Sequence, residues 1–247
     1  MLDDPHYRAA GYPYVLLDRS FIMDGGTHRY LEPGDPLADF TGRKPVLAVG
    51  SNMSPLQLAR KFPNAEHGAI PVTRVRLRDF DSVYSTHFTS YGAIPATLYP
   101  SPGTVVTLFI TWLNAEQEDR MHETEVASEN YGFCRLDDIE MEIEAGPAGG
   151  ASTGLDYLFA YVSSRGALEI GGEPVPLAEV PAENRRWRAV GQLDMQGHAQ
   201  RLLAPDMTLH DFIRENIADA ERRRERTDAL HRTALAFERD GVVRVDV

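Results

Sequence analysis

The segment Pro45 to Phe62, PVLAVGSNMSPLQLARKF, constrains the fold more than any other, because a short apolar run stops at a glycine and turns directly into a helix start. Val46 to Val49 read as a buried strand, and Gly50 permits the tight backbone that follows. Ser54 is placed to be the N-cap, Pro55 the first helical residue and Gln57 the reciprocal partner of a capping box. The backbone N–H groups of Gly50, Ser51, Asn52 and Met53 are then candidates to converge on a carboxylate or phosphate, aided by the positive end of the helix dipole. A glycine and a capping serine also serve many strand-to-helix joins for geometry alone, so a partner elsewhere in the chain has to decide the matter.

From Pro45 to about Ser164 short apolar runs alternate with turns: Val72 to Leu77, Phe80 to Ser85, Ala96 to Tyr99, Val105 to Trp112, Phe133 to Ile143 and Tyr157 to Val162. Two helices interrupt them, Pro55 to Lys61 and a second that follows the N-cap Asn114 from Ala115 to about Glu125. Many modest strands and few helices predict an α+β fold, a strongly curved mixed sheet or closed β-barrel with helices outside. Residues 1–44, rich in Pro, Gly and Asp, read as an N-terminal arm with strand pieces at Tyr14 to Leu17 and Phe21 to Met23, and little chemistry is expected there. A hairpin ALEI-GGEP-VPLAEV closes the 45–182 domain, and residues 183–247 form a C-terminal helical extension. In it Thr208 and Asp211 cap a long helix through Phe212, Ile213 and Ile217 towards Leu230. Its Arg222, Arg223, Arg224 and Arg226 alternate with Glu221, Glu225 and Asp228, the pattern of a solvated face.

Charge and composition narrow the function. With 25 basic and 37 acidic side chains the formal charge is −12, which opposes nucleic-acid binding. No apolar run has membrane-spanning length and the N-terminus lacks the features of a signal peptide, so a cytoplasmic protein without membrane association is expected. The single cysteine, Cys134, follows Phe133 and reads as a packed thiol. The run HETE at His122 has Val126 where a zinc helix would carry its second histidine, so no metal is expected there. Ser51 lacks the flanking pattern of a nucleophile and is read as a hydrogen-bonding residue.

The second helix supplies the partner. Met121 belongs to the inward face of AEQEDRMHETEVASENY, and Glu125, four residues on, lies close to the same face, whereas Glu118 and Glu123 project elsewhere. An inward carboxylate beside an anion-binding turn is a candidate general acid/base.

These residues together resemble the γ-glutamylcyclotransferase-like family. Its motif Tyr-Gly-Ser-Asn-Leu is matched by Val49-Gly50-Ser51-Asn52-Met53, RVRLRDFDSVYS is similar to its next strands, GAIPATLYPSPGTVVTLFITWL to its Ser-Pro-Gly region, and MHETEV to its Leu-Asp-x-x-Glu-Gly. Order and spacing agree from about residue 45 to 165. The resemblance implies a small mixed barrel flanked by helices, and an enzyme that acts on a γ-glutamyl or related amide and releases 5-oxoproline. It assigns Glu125 as the catalytic acid/base and the amides of Gly50, Ser51, Asn52 and Met53 as the binding site of the substrate α-carboxylate, with no metal or organic cofactor. Val49, His122 and Val126 depart from the family pattern, where tyrosine, aspartate and glycine stand. The alternative is a non-catalytic module on the same fold that binds a carboxylate metabolite or a protein partner. Tyr84, His87 and Tyr91 are placed near the mouth either to contact the distal part of a substrate or, the favoured reading, to cover the barrel, and ENRRW from Glu183 to Trp187 either to recognise a carboxylate or to pair with acidic surface.

Overall fold

A computed structural model describes residues 4–32, 35, 40–126, 129–144, 155 and 157–246. The arm begins with α1 (Pro5–Ala10), capped by Asp4, whose carboxylate accepts from the amides of His6 and Tyr7. A hairpin follows, β1 (Phe21–Asp24) and β2 (Thr27–Tyr30). The expected strand at Tyr14 to Leu17 is irregular instead: Tyr14 takes a left-handed φ of 73°, which ends any extended run.

β3 (Lys44–Ala48) leads through Val49 and Gly50 into a 3-10 turn over Ser51–Met53 and then α2 (Pro55–Lys61). Ser54 caps α2 by accepting from Leu56 N, a contribution of about 1 kcal/mol for a residue of this type. Gln57 does not complete the predicted capping box; its Oε1 accepts from Arg60 on the site side. Leu58 and Phe62 bury that helix against the sheet.

β4 (Ile70–Tyr84) and β5 (Ala96–Leu113) are the long central strands. Each merges two runs that the sequence reading kept apart. In β4 the join is a bulge between Arg78 and Phe80, where Asp79 has φ 62°. In β5 the ladder carries on through Pro100, opposite Phe80. α3 (Ala115–Glu125) starts at Asn114 with a complete capping box: Gln117 N donates to Asn114 Oδ1 at 2.9 Å and Asn114 N to Gln117 Oε1 at 3.0 Å. The Phe133 to Ile143 run is two strands, β6 (Tyr131–Asp137) and β7 (Met141–Ile143), parted where Asp138 has φ 54°. β8 (Tyr157–Ser163) returns beside β6. The predicted hairpin is present as β9 (Glu169–Ile170) and β10 (Glu173–Pro174), with left-handed Gly171 and Gly172 at its tip, and β11 (Ala182–Glu183) then pairs with β5.

The C-terminal part holds α4 (Gln192–Leu203), α5 (Leu209–Ala218), α6 (Ala220–His231) and β12 (Val242–Arg244). The expected single helix from Thr208 to Leu230 is therefore two. Asp219 takes an extended conformation and its carboxylate accepts from Glu221 N and Arg222 N, which starts a new helix where the first ends.

The ten-stranded sheet runs β12-β6-β8-β3-β5-β4-β1-β2, with β11 on β5 and β7 on β4; β3 and β8 are parallel and the other pairs antiparallel. The α+β reading with a mixed sheet and outer helices holds, but the barrel does not close. Among the described residues, β12 and β2 are unpaired edges, because the free edge of β4 is taken by β1 at Ile70–Val72 and by β7 at Val75–Leu77. No described helix is long and apolar enough to cross a membrane.

Candidate active site

The C-terminal end of β3 opens into a cavity of about 690 Å³. Gly50, Ser51, Asn52 and Glu125 all line it, so the turn and the inward carboxylate of the sequence reading meet at one site. Met53 does not line it: its side chain is in the core, and its amide closes the 3-10 turn by donating to Gly50 O at 3.0 Å. The anion-binding role expected of that amide is thus excluded by the turn itself.

Glu125 is held on one oxygen. Asn52 Nδ2 donates to Oε1 at 3.1 Å, and Lys61 Nζ makes an ion pair with the same atom. Oε2 has no partner among the described residues. Lys61, in the last turn of α2, is buried and also touches Met121 Sδ at 3.3 Å, while Arg120 Nε ties α3 to Lys61 O at 2.7 Å. Asn52 Oδ1 is buried with no hydrogen-bond partner among the described residues, an acceptor that a bound donor would satisfy. Of the other carboxylates on α3, Glu123 is exposed. Glu118 is buried away from the cavity, against Lys44 and His122. His122 gives its other ring nitrogen to the hydroxyl of Tyr161, a cavity residue, at 2.8 Å.

The arm enters the site, contrary to the expectation that it carries little chemistry. The Tyr12 hydroxyl accepts from Ala96 N at 2.8 Å and lies against the Ser51 amide. A Cβ on Gly50 would stand 1.9 Å from that hydroxyl, so glycine is required there by close approach. Val49 leaves the β3 end without a phenol, and Tyr12 brings one from another part of the chain. Burial raises the Tyr12, Tyr91 and Tyr131 hydroxyls far above the usual phenol range, so these cavity groups act as neutral hydrogen-bonding groups. Arg8 of α1 lies over the Tyr91 ring, 4.3 Å from its centroid.

Of the residues expected to cover the mouth, His87 and Tyr91 line the cavity, whereas Tyr84 is in the core with its hydroxyl on Val190 O at 2.9 Å. His87 bonds Ser85 Oγ at 2.8 Å, and Ser85 bonds Ser163 Oγ at 2.7 Å. Burial first, and the charge of Arg165 second, push the imidazole down to about 3. Between about 6.5 and 3 the unfolded chain therefore takes up a proton that the folded chain refuses, and stability falls as pH falls through that window. Denaturant unfolding is expected to show about 2 kcal/mol less stability at pH 4.5 than at pH 7 from this group alone, a difference that His87→Gln removes. Equal pH slopes in the two proteins would show that His87 is not the source.

ENRRW is away from the cavity; Arg185 pairs there with buried Asp81. Lys61, Tyr12 and Arg8 were missed from sequence. For Lys61 a signal existed, a last-turn lysine on the same helix as an N-capped turn, facing a glutamate-bearing helix; for Tyr12 and Arg8 none did.

No protein-family model and no curated protein matches the chain. Solved structures that do match include one titled γ-glutamyl cyclotransferase, at 20% identity and a TM-score of 0.34. Another is a human protein titled uncharacterized, at 20% identity and a TM-score of 0.35. Each match covers 49% of this chain and 66% of the other, so the chain spans just under two thirds of their length.

Proposed function

We propose that the protein is a γ-glutamylcyclotransferase-like enzyme that releases 5-oxoproline from a γ-glutamyl or related amide, with Glu125 as general acid/base. The observation that carries this reading is the Asn52–Glu125 hydrogen bond of 3.1 Å, which joins the Gly50–Asn52 turn and the carboxylate within one cavity. In the reaction, Glu125 Oε2 takes a proton from the substrate α-ammonium, which Asn52 Oδ1 also accepts from. The freed amine attacks the γ-carbonyl, forming the ring C–N bond. As the original amide C–N bond breaks, Glu125 gives this first proton to the leaving nitrogen, which departs as the neutral amine, and then takes the second proton from the ring nitrogen and passes it to solvent, leaving the lactam N–H. Holding both ends of the γ-glutamyl unit makes the attack intramolecular, so one proton carrier suffices. Lys61 and Asn52 fix the carboxylate through Oε1 and leave Oε2 free for the transfer.

Purified protein incubated with a panel of γ-glutamyl amines and peptides is expected to release 5-oxoproline, measured by chromatography. A second reading, a non-catalytic carboxylate-binding module, is favoured by the arginines that line the same cavity, Arg8, Arg60, Arg223 and Arg224, since these hold a carboxylate without doing chemistry on it. A panel with no turnover, together with a carboxylate that raises the melting temperature, would replace the first reading by the second.

A further inference from the structure

The cavity is strongly cationic in a protein whose net charge is −12. Its only lining carboxylate among the described residues is Glu125, already paired with Lys61. Two more lining cations have acidic partners facing outward, Arg120 with Glu123 at 3.5 Å and Arg165 with Asp228 at 3.3 Å. Four do not: Arg8 on α1, Arg60 on α2, and Arg223 and Arg224 on α6 have no acidic partner among the described residues. The contrast lies within single elements. On α6, Arg222 pairs with Glu225 at 2.9 Å and Arg226 with Glu215, but the two arginines that face the cavity are left uncompensated. The solvated-face reading of this helix therefore applies to only part of it.

What these arginines do contact is neutral. Arg60 Nη1 donates to Gln57 Oε1 at 3.1 Å, and Arg223 Nη1 to Asn216 O at 2.6 Å, which orients it from the end of α5. Arg8 Nε is buried with no hydrogen-bond partner among the described residues. A buried donor without an acceptor costs about 1–3 kcal/mol, so its retention at the wall of a cavity points to a ligand that satisfies it. Guanidinium groups present paired N–H donors that match carboxylate and phosphate oxygens. One carboxylate engages one or two of them; four, delivered by three separate helices, match more than one negative charge.

We infer that the cavity takes a ligand carrying at least two negative charges, as a phosphate monoester or as two carboxylates, with Arg8, Arg60, Arg223 and Arg224 as its charge partners. Combined with the cyclisation reading, on which this part rests, the charges belong to the leaving amine portion, because the α-carboxylate of the γ-glutamyl unit goes to the turn. Specificity is then set by α1 and α6, which lie outside the 45–165 segment that carries the family resemblance.

Calorimetry on the full chain with O-phosphoserine, aspartyl-aspartate, alanyl-alanine and alanyl-alanine amide tests the charge requirement directly. The first two are expected to bind at least about tenfold tighter than the last two, and to weaken steeply from about 50 to 500 mM salt. Preference for phosphoserine identifies phosphate as the group; preference for aspartyl-aspartate identifies paired carboxylates. Arg224→Gln, at an exposed position with no partner to lose among the described residues, is expected to lower affinity about fivefold or more without change in melting temperature, and Arg8→Gln to lower affinity similarly from the other helix. Affinities independent of probe charge, or no effect of either variant, would overturn the inference. Assaying 5-oxoproline release from γ-glutamyl amides of the same four groups separates the two claims. Dianion binding without turnover removes the cyclisation reading and keeps the charge requirement; turnover with equal kcat/KM for neutral and dianionic amides does the reverse.

Discussion

Glu125→Gln is expected to lower 5-oxoproline release by about 10²–10⁴-fold, the usual range for removal of a positioned proton carrier. The variant also removes the partner of Lys61, whose side chain is only 6% exposed, so a fall in activity by itself could come from a disturbed fold. Leaving one charge of a buried pair uncompensated costs about 3–5 kcal/mol. The two effects separate when Glu125→Gln is combined with Lys61→Met. The double variant is expected to recover most of the stability in urea unfolding, because the orphaned ammonium is gone, and none of the activity, because no carboxylate has returned. Glu125→Asp gives the complementary case: the charge stays, but the carboxylate is withdrawn by one methylene from the position that Asn52 fixes, so stability is kept while kcat drops. Activity that survives in Glu125→Gln, or that returns with stability in the double variant, would remove Glu125 from the chemistry.

The legible part of this site was the part built from one strand-turn-helix unit and one helix face. Val46 to Gly50, Ser54 and Pro55 carry their conformations in their residue types, and Asn114 with Gln117 forms the capping box that sets the phase of α3 and turns Glu125 inward. Met53 was misread because the same short segment that exposes amides also uses two of them, Met53 N and Ser54 N, to close its own turn. The closed barrel failed for a reason absent from local pattern: β4 and β5 continue through a bulge and a proline, and the β1–β2 hairpin claims the edge that closure requires. The break at Asp219 was readable in principle, since an aspartate followed by AERRRE is an N-cap signal, but continuous helical composition on both sides masked it. Arg8 and Tyr12 were not readable. Their place in the cavity depends on long-range contacts such as Tyr12 with Ala96, and a Pro- and Gly-rich arm has no periodicity from which to infer where it docks.

Arg185→Ala is expected to cost about 3–5 kcal/mol of stability at neutral pH, the largest effect outside the cavity. Asp81 is fully buried on β4, and the guanidinium clamps both its oxygens, Nε to Oδ2 at 2.8 Å and Nη2 to Oδ1 at 3.0 Å. Nη2 also reaches Val180 O at 2.9 Å, and Ser82 N donates to Oδ1 at 2.9 Å. Desolvation nevertheless outweighs these contacts and raises the Asp81 carboxyl above its usual range, with Arg185 acting to lower it. Removing the guanidinium takes away that opposing effect, so the carboxyl rises further. A folded-state value above the unfolded one means that the unfolded chain gives up the proton first as pH rises. Stability is therefore lost with rising pH, and more of it in the variant than in the parent. The deficit of Arg185→Ala should be greatest near pH 7 and shrink as the pH falls, levelling off only below about 4, where the unfolded chain takes up the proton as well. Asp81→Asn combined with Arg185→Met should regain much of the loss at pH 7, since the cost lies in a buried charge without its counterion rather than in a missing contact. A deficit independent of pH, or a double variant no more stable than Arg185→Ala, would show instead that packing of the arginine stem against Val180 and β4 dominates.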